Sequence, residues 1–96
     1  MGLDEVFRAL SEPTRREILR LLRKRDMTAG EIAERFDLAK STLSGHFAAL
    51  RQAGLVVSER MGTRIVYSLS LAAHEEAVAA VLSVLGVGGR GKGGRS

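Results

Sequence analysis

Residues 28–56, TAGEIAERFDLAKSTLSGHFAALRQAGLV, carry two short amphipathic helical patterns joined by a tight polar turn. Thr28 stands three residues before Glu31, the spacing of a capping box, and Ile32, Ala33 and Phe36 supply the apolar side of the helix it opens. Asp37-Leu38-Ala39 closes that helix. A second begins near Lys40 or Ser41 and runs to Ala53, with Gly54 placed to end it in a left-handed conformation. Leu43, Phe47 and Leu50 fall at i, i+4 and i+7, so they point together into a core. This is the pattern of a helix-turn-helix, whose second helix enters the major groove of duplex DNA.

The face opposite that apolar stripe carries Ser41, Ser44, Gly45, Ala48 and Gln52. A helix selected only for stability would show Glu, Lys, Ala and Gln there. Small side chains let a helix sit deep in a groove, and hydroxyls can bond phosphates or base edges. Gly45 costs about 1 kcal/mol of helix propensity relative to alanine, and close approach to DNA is a reason to accept that cost. The competing reading is of ordinary surface residues on a poor helix.

After Gly54 the pattern changes to period two. Val56, Val57, Ile65, Val66, Tyr67 and Leu69 flank Arg60-Met61-Gly62-Thr63-Arg64, which predicts a two-stranded hairpin with glycine in its turn. Ile65, Tyr67 and Leu69 alternate and are expected to cover the core. A hairpin directly after a recognition helix is a wing, and Arg60 and Arg64 at its tip are candidates for phosphate or minor-groove contacts.

On the N-terminal side, Leu3, Val6, Phe7 and Leu10 mark a first short helix, interrupted by Ser11-Glu12-Pro13. Proline suits the first position of a new helix, expected over residues 14 to about 25 with Ile18, Leu19, Leu21 and Leu22 inward. Arg15, Arg16, Glu17, Arg20 and Arg23 read as its solvated face. Residues 71–85 form a last helix that is apolar on more than one face, through Ala72, Ala73, Ala77, Val78, Ala80, Val81, Leu82, Val84 and Leu85. With 96 residues there is room for one domain of modest core, too small to bury all of that surface. A homodimer interface built from Leu3, Val6, Phe7, Val78, Val81, Leu82 and Leu85 is the simplest outlet, and docking of a different protein is the alternative.

The expected fold class is therefore mainly α with a small β-hairpin, a winged helix-turn-helix in the order α-α-α-α-β-β-α. Residues 1–85 form the DNA-binding and dimerisation domain, and residues 86–96 a flexible Gly-rich basic tail that adds nonspecific phosphate contacts or merely solubilises the chain. The net charge of +4 is polarised. Within residues 26–39, Asp26, Glu31, Glu34 and Asp37 stand against Arg35 alone, whereas within residues 40–64, Lys40, Arg51, Arg60 and Arg64 stand against Glu59 alone.

Several function classes are excluded. The absence of cysteine removes disulfides, thiolate metal sites and cysteine nucleophiles. No Ser-His-Asp ordering or phosphate-cradling glycine loop is visible, so an enzyme is not expected. The opening MGLDEVFRAL has acids where a secretory signal carries basic residues, and no stretch approaches the ~20 apolar residues of a membrane span. A cytoplasmic location without membrane insertion is expected.

Phe7-Arg8-Ala9-Leu10-Ser11-Glu12-Pro13-Thr14-Arg15 with Ile18-Leu19 and Leu21-Leu22, then Leu43-Ser44-Gly45-His46-Phe47 with Leu50 and Ala53-Gly54-Leu55-Val56, and Gly62 with Tyr67-Ser68-Leu69, resemble the signatures of the ArsR-type winged-helix repressors. The likeness covers roughly residues 3 to 85. Met27-Thr28-Ala29-Gly30-Glu31-Ile32-Ala33 and the short length look closest to the SdpR-like autorepressor group. The resemblance implies a homodimeric repressor that places one recognition helix per subunit on a partly palindromic double-stranded DNA operator. By position, Ser41, Thr42, Ser44 and His46 would read bases or nearby phosphates, and Lys40 and Arg51 would clamp the backbone. At Gly45 the chain departs from relatives that carry a polar residue, which shifts readout toward Ser44 or DNA shape.

Metal-sensing relatives need clustered ligands. Where thiolate-based ones carry cysteines, this chain has Glu31-Ile32-Ala33-Glu34-Arg35, and in the last helix His74, Glu75 and Glu76 stand at the start with nothing in return near Leu85. No metal or other cofactor is expected, and a metal-responsive repressor is the less favoured reading. A protein-interaction adaptor, or a protein partner controlling activity, remains open.

Overall fold

The computed structural model describes residues 3–86, with the side chains of all of them except Leu3, Leu71, Ala72, Ala73, His74 and Ala77. Its elements are α1 (Leu3–Leu10), α2 (Pro13–Lys24), β1 (Met27–Thr28), α3 (Ala29–Ala33), α4 (Lys40–Gln52), β2 (Val56–Met61), β3 (Arg64–Leu69) and α5 (Leu71–Leu85). The mainly helical winged-helix order stands, with one addition. β1 pairs antiparallel with β3, Met27 opposite Tyr67 and Thr28 opposite Val66, so the expected hairpin is a three-stranded sheet in the order β1-β3-β2. Two residues are too few to show a period.

Local chemistry explains most boundaries. Glu12, extended as the residue before a proline prefers to be, accepts hydrogen bonds from the N–H groups of Thr14 (2.7 Å) and Arg15 (3.3 Å) and caps α2. The capping box is formed at α3: Glu31 N–H donates to Thr28 Oγ1 at 3.0 Å, and Thr28 N–H donates to Glu31 Oε1 at 2.9 Å. That helix is shorter than its apolar pattern implied. After Ala33 the chain tightens into i to i+3 turns, Arg35 N–H to Ile32 O and Phe36 N–H to Ala33 O, which leave Phe36 half-buried against the core from outside the helix. α4 ends as expected, with Gly54 at φ +77°. The N–H of Leu55 reaches Leu50 O at 3.0 Å and that of Gly54 reaches Arg51 O at 2.9 Å, the paired bonds of a Schellman motif.

The core gathers one face of every layer: Val6 and Ala9 of α1, Ile18 and Leu22 of α2, Met27, Ile32, then Leu43, Phe47 and Leu50 of α4, and Tyr67 of β3. Phe47 and Tyr67 stack with ring centroids 4.5 Å apart and planes 27° apart, fastening α4 to the sheet. Two expectations are corrected here. Val6 is buried within its own chain and therefore belongs to this core, not to an interface. Ile65 does not cover the core: the hairpin carries it past the last core layer, where it is exposed, while Tyr67 is buried and Leu69 half-buried.

Candidate nucleic-acid interface

α4 buries Leu43, Phe47 and Leu50 and leaves Lys40, Ser41, Thr42, Ser44, Gly45, Arg51 and Gln52 exposed, with Ala48 half-buried. Its first turn has no side-chain cap, so backbone N–H groups and their share of the helix dipole face outward beside Lys40. Lys40 and Ser44 line a hollow between α3 and α4 together with Ala29, Gly30, Ala33, Leu43 and Phe47. A methyl group placed on Gly45 would meet nothing within 4 Å. No packing inside the chain requires glycine at this position.

The two wing arginines diverge. Cross-strand partners share a face and successive residues alternate, so Arg60, opposite Ile65, lies on the Tyr67 face that packs on α4. Arg64, opposite Met61, lies on the other face with Val66 and Thr28. The turn between them is only Gly62-Thr63, tighter than the five-residue tip read from the sequence, and Gly62 takes φ +67° as the first central residue of such a turn requires. Arg64 and Ile65 border a second hollow with Thr28, Ala29 and Gly30, next to the start of α3. Arg51, at the far end of α4 from Lys40, donates from Nη1 to Tyr67 Oη at 3.4 Å and is thereby steadied against β3.

His46 does not join the exposed row. Its side chain is only 12% exposed, and it faces α2. Arg15 Nε donates to His46 Nδ1 at 3.1 Å, and His46 Nε2 lies 3.9 Å from Glu12 Oε1. Burial works to raise the Glu12 pKa, but the N–H groups of Thr14 and Arg15, and the charge of His46 when its imidazole is protonated, outweigh it and hold the carboxyl below its ordinary value. Arg15, read as solvated, is thus half-buried and structural. The signal was present in the spacing: Arg15, Ile18 and Leu22 fall at i, i+3 and i+7, which puts the arginine on the inward stripe of α2.

Among the residues expected at an interface between copies, Phe7, Val78 and Leu85 are exposed, the last two at 57% and 67%, and Val81 and Leu82 are half-buried. Val84, at 68%, joins them. The side chains of Leu3 and His74 and residues 87–96 of the tail lie outside the described residues. No helix among the described residues is long and apolar enough to cross a membrane.

The sequence model of the bacterial regulatory protein arsR family matches residues 12–58, from the cap of α2 through the start of the wing. Over 86 residues the chain is 41% identical to the transcriptional repressor SdpR of Bacillus subtilis (strain 168), an alignment covering 90% of this chain and 96% of that protein. An ArsR-like transcriptional regulator from Rhodococcus sp. RHA1 superposes with a TM-score of 0.75 at 36% identity, covering 88% of this chain and 78% of the other. The crystal structure of M. tuberculosis Rv0081 superposes with a TM-score of 0.66 at 35% identity, covering 88% and 92%.

Proposed function

The chain belongs to the arsR family, DNA-binding transcriptional regulators and not enzymes, and from that premise we propose that it is a homodimeric repressor that reads a pseudo-palindromic operator with α4. The observation that carries this reading is the outer face of α4: small and hydroxyl residues around a glycine for which the fold itself has no use. Ser41, Thr42 and Ser44 reach base edges or phosphates, Gly45 permits close approach, and Lys40 with the uncapped first turn holds the backbone. Arg51 clamps the backbone further along. Arg60 and Arg64, on opposite faces of the hairpin, serve as two separate contacts of the wing.

The exposed apolar residues of α5, with Phe7 of α1, support pairing of two copies. Such a dimer sets its two recognition helices one helical turn of DNA apart, about 34 Å. The protein then works in the cytoplasm, where its operator is. A controlling protein on the α5 face is the competing occupant, and a monomeric mass in solution favours it.

Selection from a random pool of duplex DNA tests the reading. The expected product is a short inverted repeat. Ser44→Trp is expected to abolish specific binding while the mass of the dimer is unchanged; undiminished binding overturns the assignment of α4. Lys40→Ala should weaken binding to all sequences alike and lower the slope of log affinity against log salt by about 1.

A further inference from the structure

Beside the apolar core that α2 and α4 share, a polar contact between them is made by a titratable group. Because Arg15 Nε donates to His46 Nδ1, the imidazole in this arrangement is neutral and carries its proton on Nε2, the nitrogen that faces Glu12. We propose that His46 is a positioning residue for DNA binding: its neutral imidazole, held by Arg15, sets the pose of α4 against α2, and protonation releases that hold. The proposal rests on the reading of α4 as the DNA-reading helix.

Protonation puts a hydrogen on Nδ1, where it confronts the Arg15 guanidinium and can no longer accept from it. Glu12 offers the imidazolium a partner on the other side at 3.9 Å, and Glu12 is itself anchored by the N–H groups of Thr14 and Arg15. The ring moves toward Glu12. Arg15 falls back on its second acceptor, the Arg8 carbonyl oxygen at 3.3 Å. From α1, Glu5 and Arg8 border this contact, lining a shallow hollow with Arg15, Ala49 and Gln52. β2, also packed on α4, brings no ion pair to His46 among the described residues.

The sign of the effect separates positioning from simple charge. A histidine at a DNA interface strengthens binding as it gains charge, because phosphates attract it. A histidine that must be neutral to hold the reading helix does the opposite. Affinity for DNA is therefore expected to fall on acidification.

The experiment measures affinity for a duplex oligonucleotide selected from a random pool by the parent protein at neutral pH, at fixed salt, from about pH 8 to about pH 5.5, the range in which imidazoles titrate. His46→Asn keeps an acceptor near the place of Nδ1 without titrating, and His46→Leu removes it. The parent and His46→Asn are expected to bind alike at the alkaline end, with His46→Leu and Arg15→Met weaker by roughly three- to tenfold. On acidification the parent should fall to the level of His46→Leu while His46→Asn does not follow. His74 is common to all four proteins, so its contribution cancels in the comparison. Thermal melts by circular dichroism confirm that each variant is folded at both ends of the range. Parent affinity that is flat or rising on acidification, or His46→Asn tracking the parent, overturns the proposal. Binding by Ser44→Trp equal to the parent would instead overturn the underlying reading of α4.

Discussion

α4 and α5 are helices of similar length, 13 and 15 residues, used in opposite ways. α4 is polar over most of its circumference, yet it buries Leu43, Phe47 and Leu50 and anchors the domain. α5 is apolar over most of its circumference, yet Val78, Val84 and Leu85 stand exposed. What each helix leaves outside tells which solvent or partner it is built for. Small hydroxyl residues and a glycine suit a hydrated, hydrogen-bonding groove, whereas exposed valine and leucine suit another apolar surface.

The comparison breaks most visibly at the inner face of α4. Leu50 is fully buried, and Leu50→Ala is expected to destabilise the domain by about 2–5 kcal/mol in chemical denaturation, through lost contacts and the cavity left behind. On α5 the expected effect is on association. Val84→Asp with Leu85→Asp should weaken self-association by roughly 2 kcal/mol or more, read from the concentration dependence of mass in solution, with helix content of the monomer retained. If the double variant unfolds the monomer instead, the contrast between the helices is lost.

Smaller effects sharpen the account of α4. α3, which precedes α4 in the motif, depends on the capping box, so Thr28→Ala should cost about 1 kcal/mol of stability. Its partner Glu31 has a lowered pKa, first because Thr28 N–H donates to the carboxylate, with Arg25 adding a favourable charge against the opposing cost of burial. A lowered carboxyl pKa stabilises the fold fully above the ordinary carboxylate range, and the stabilisation is lost as pH falls through the lowered value. Glu31→Gln should accordingly flatten the acid limb of a plot of stability against pH. The smallest effect is the most pointed: Gly45→Ala should stabilise the free protein by about 0.5–1 kcal/mol and weaken DNA binding at the same time. Stabilisation without loss of binding would mean that the outer face of α4 does not lie deep in a groove.

Much of this fold was legible because its determinants are local. A capping box, a glycine after a helix and apolar residues at i, i+4 and i+7 each act within one or two turns, and each was found where the spacing put it. The candidate reading face was legible for the same reason, since a helix fixes the angles between its own residues. The periodicity that identifies an apolar residue does not say how far its element extends past the core. Ile65 and Tyr67 have the same parity on one strand, yet Tyr67 is buried and Ile65 is not. Val6 and Phe7 are neighbours on one helix, and only the packing of α1 against its own chain assigns the first to the interior and the second to the surface.

The amino-acid order by itself determined the succession of the helices and the hairpin, the capping box of α3, the end of α4 and the apolar stripe of α4, because these depend on angles and hydrogen bonds within a few residues. Tertiary structure alone decided what the faces of these elements meet. β1 is a strand only because β3 lies alongside it, and the two wing arginines part because register sends them to opposite faces. His46, expected among the readers of DNA, also packs against α2 because Arg15, 31 positions earlier, arrives beside it. Distances between residues so far apart in the chain come from packing, which no local period encodes.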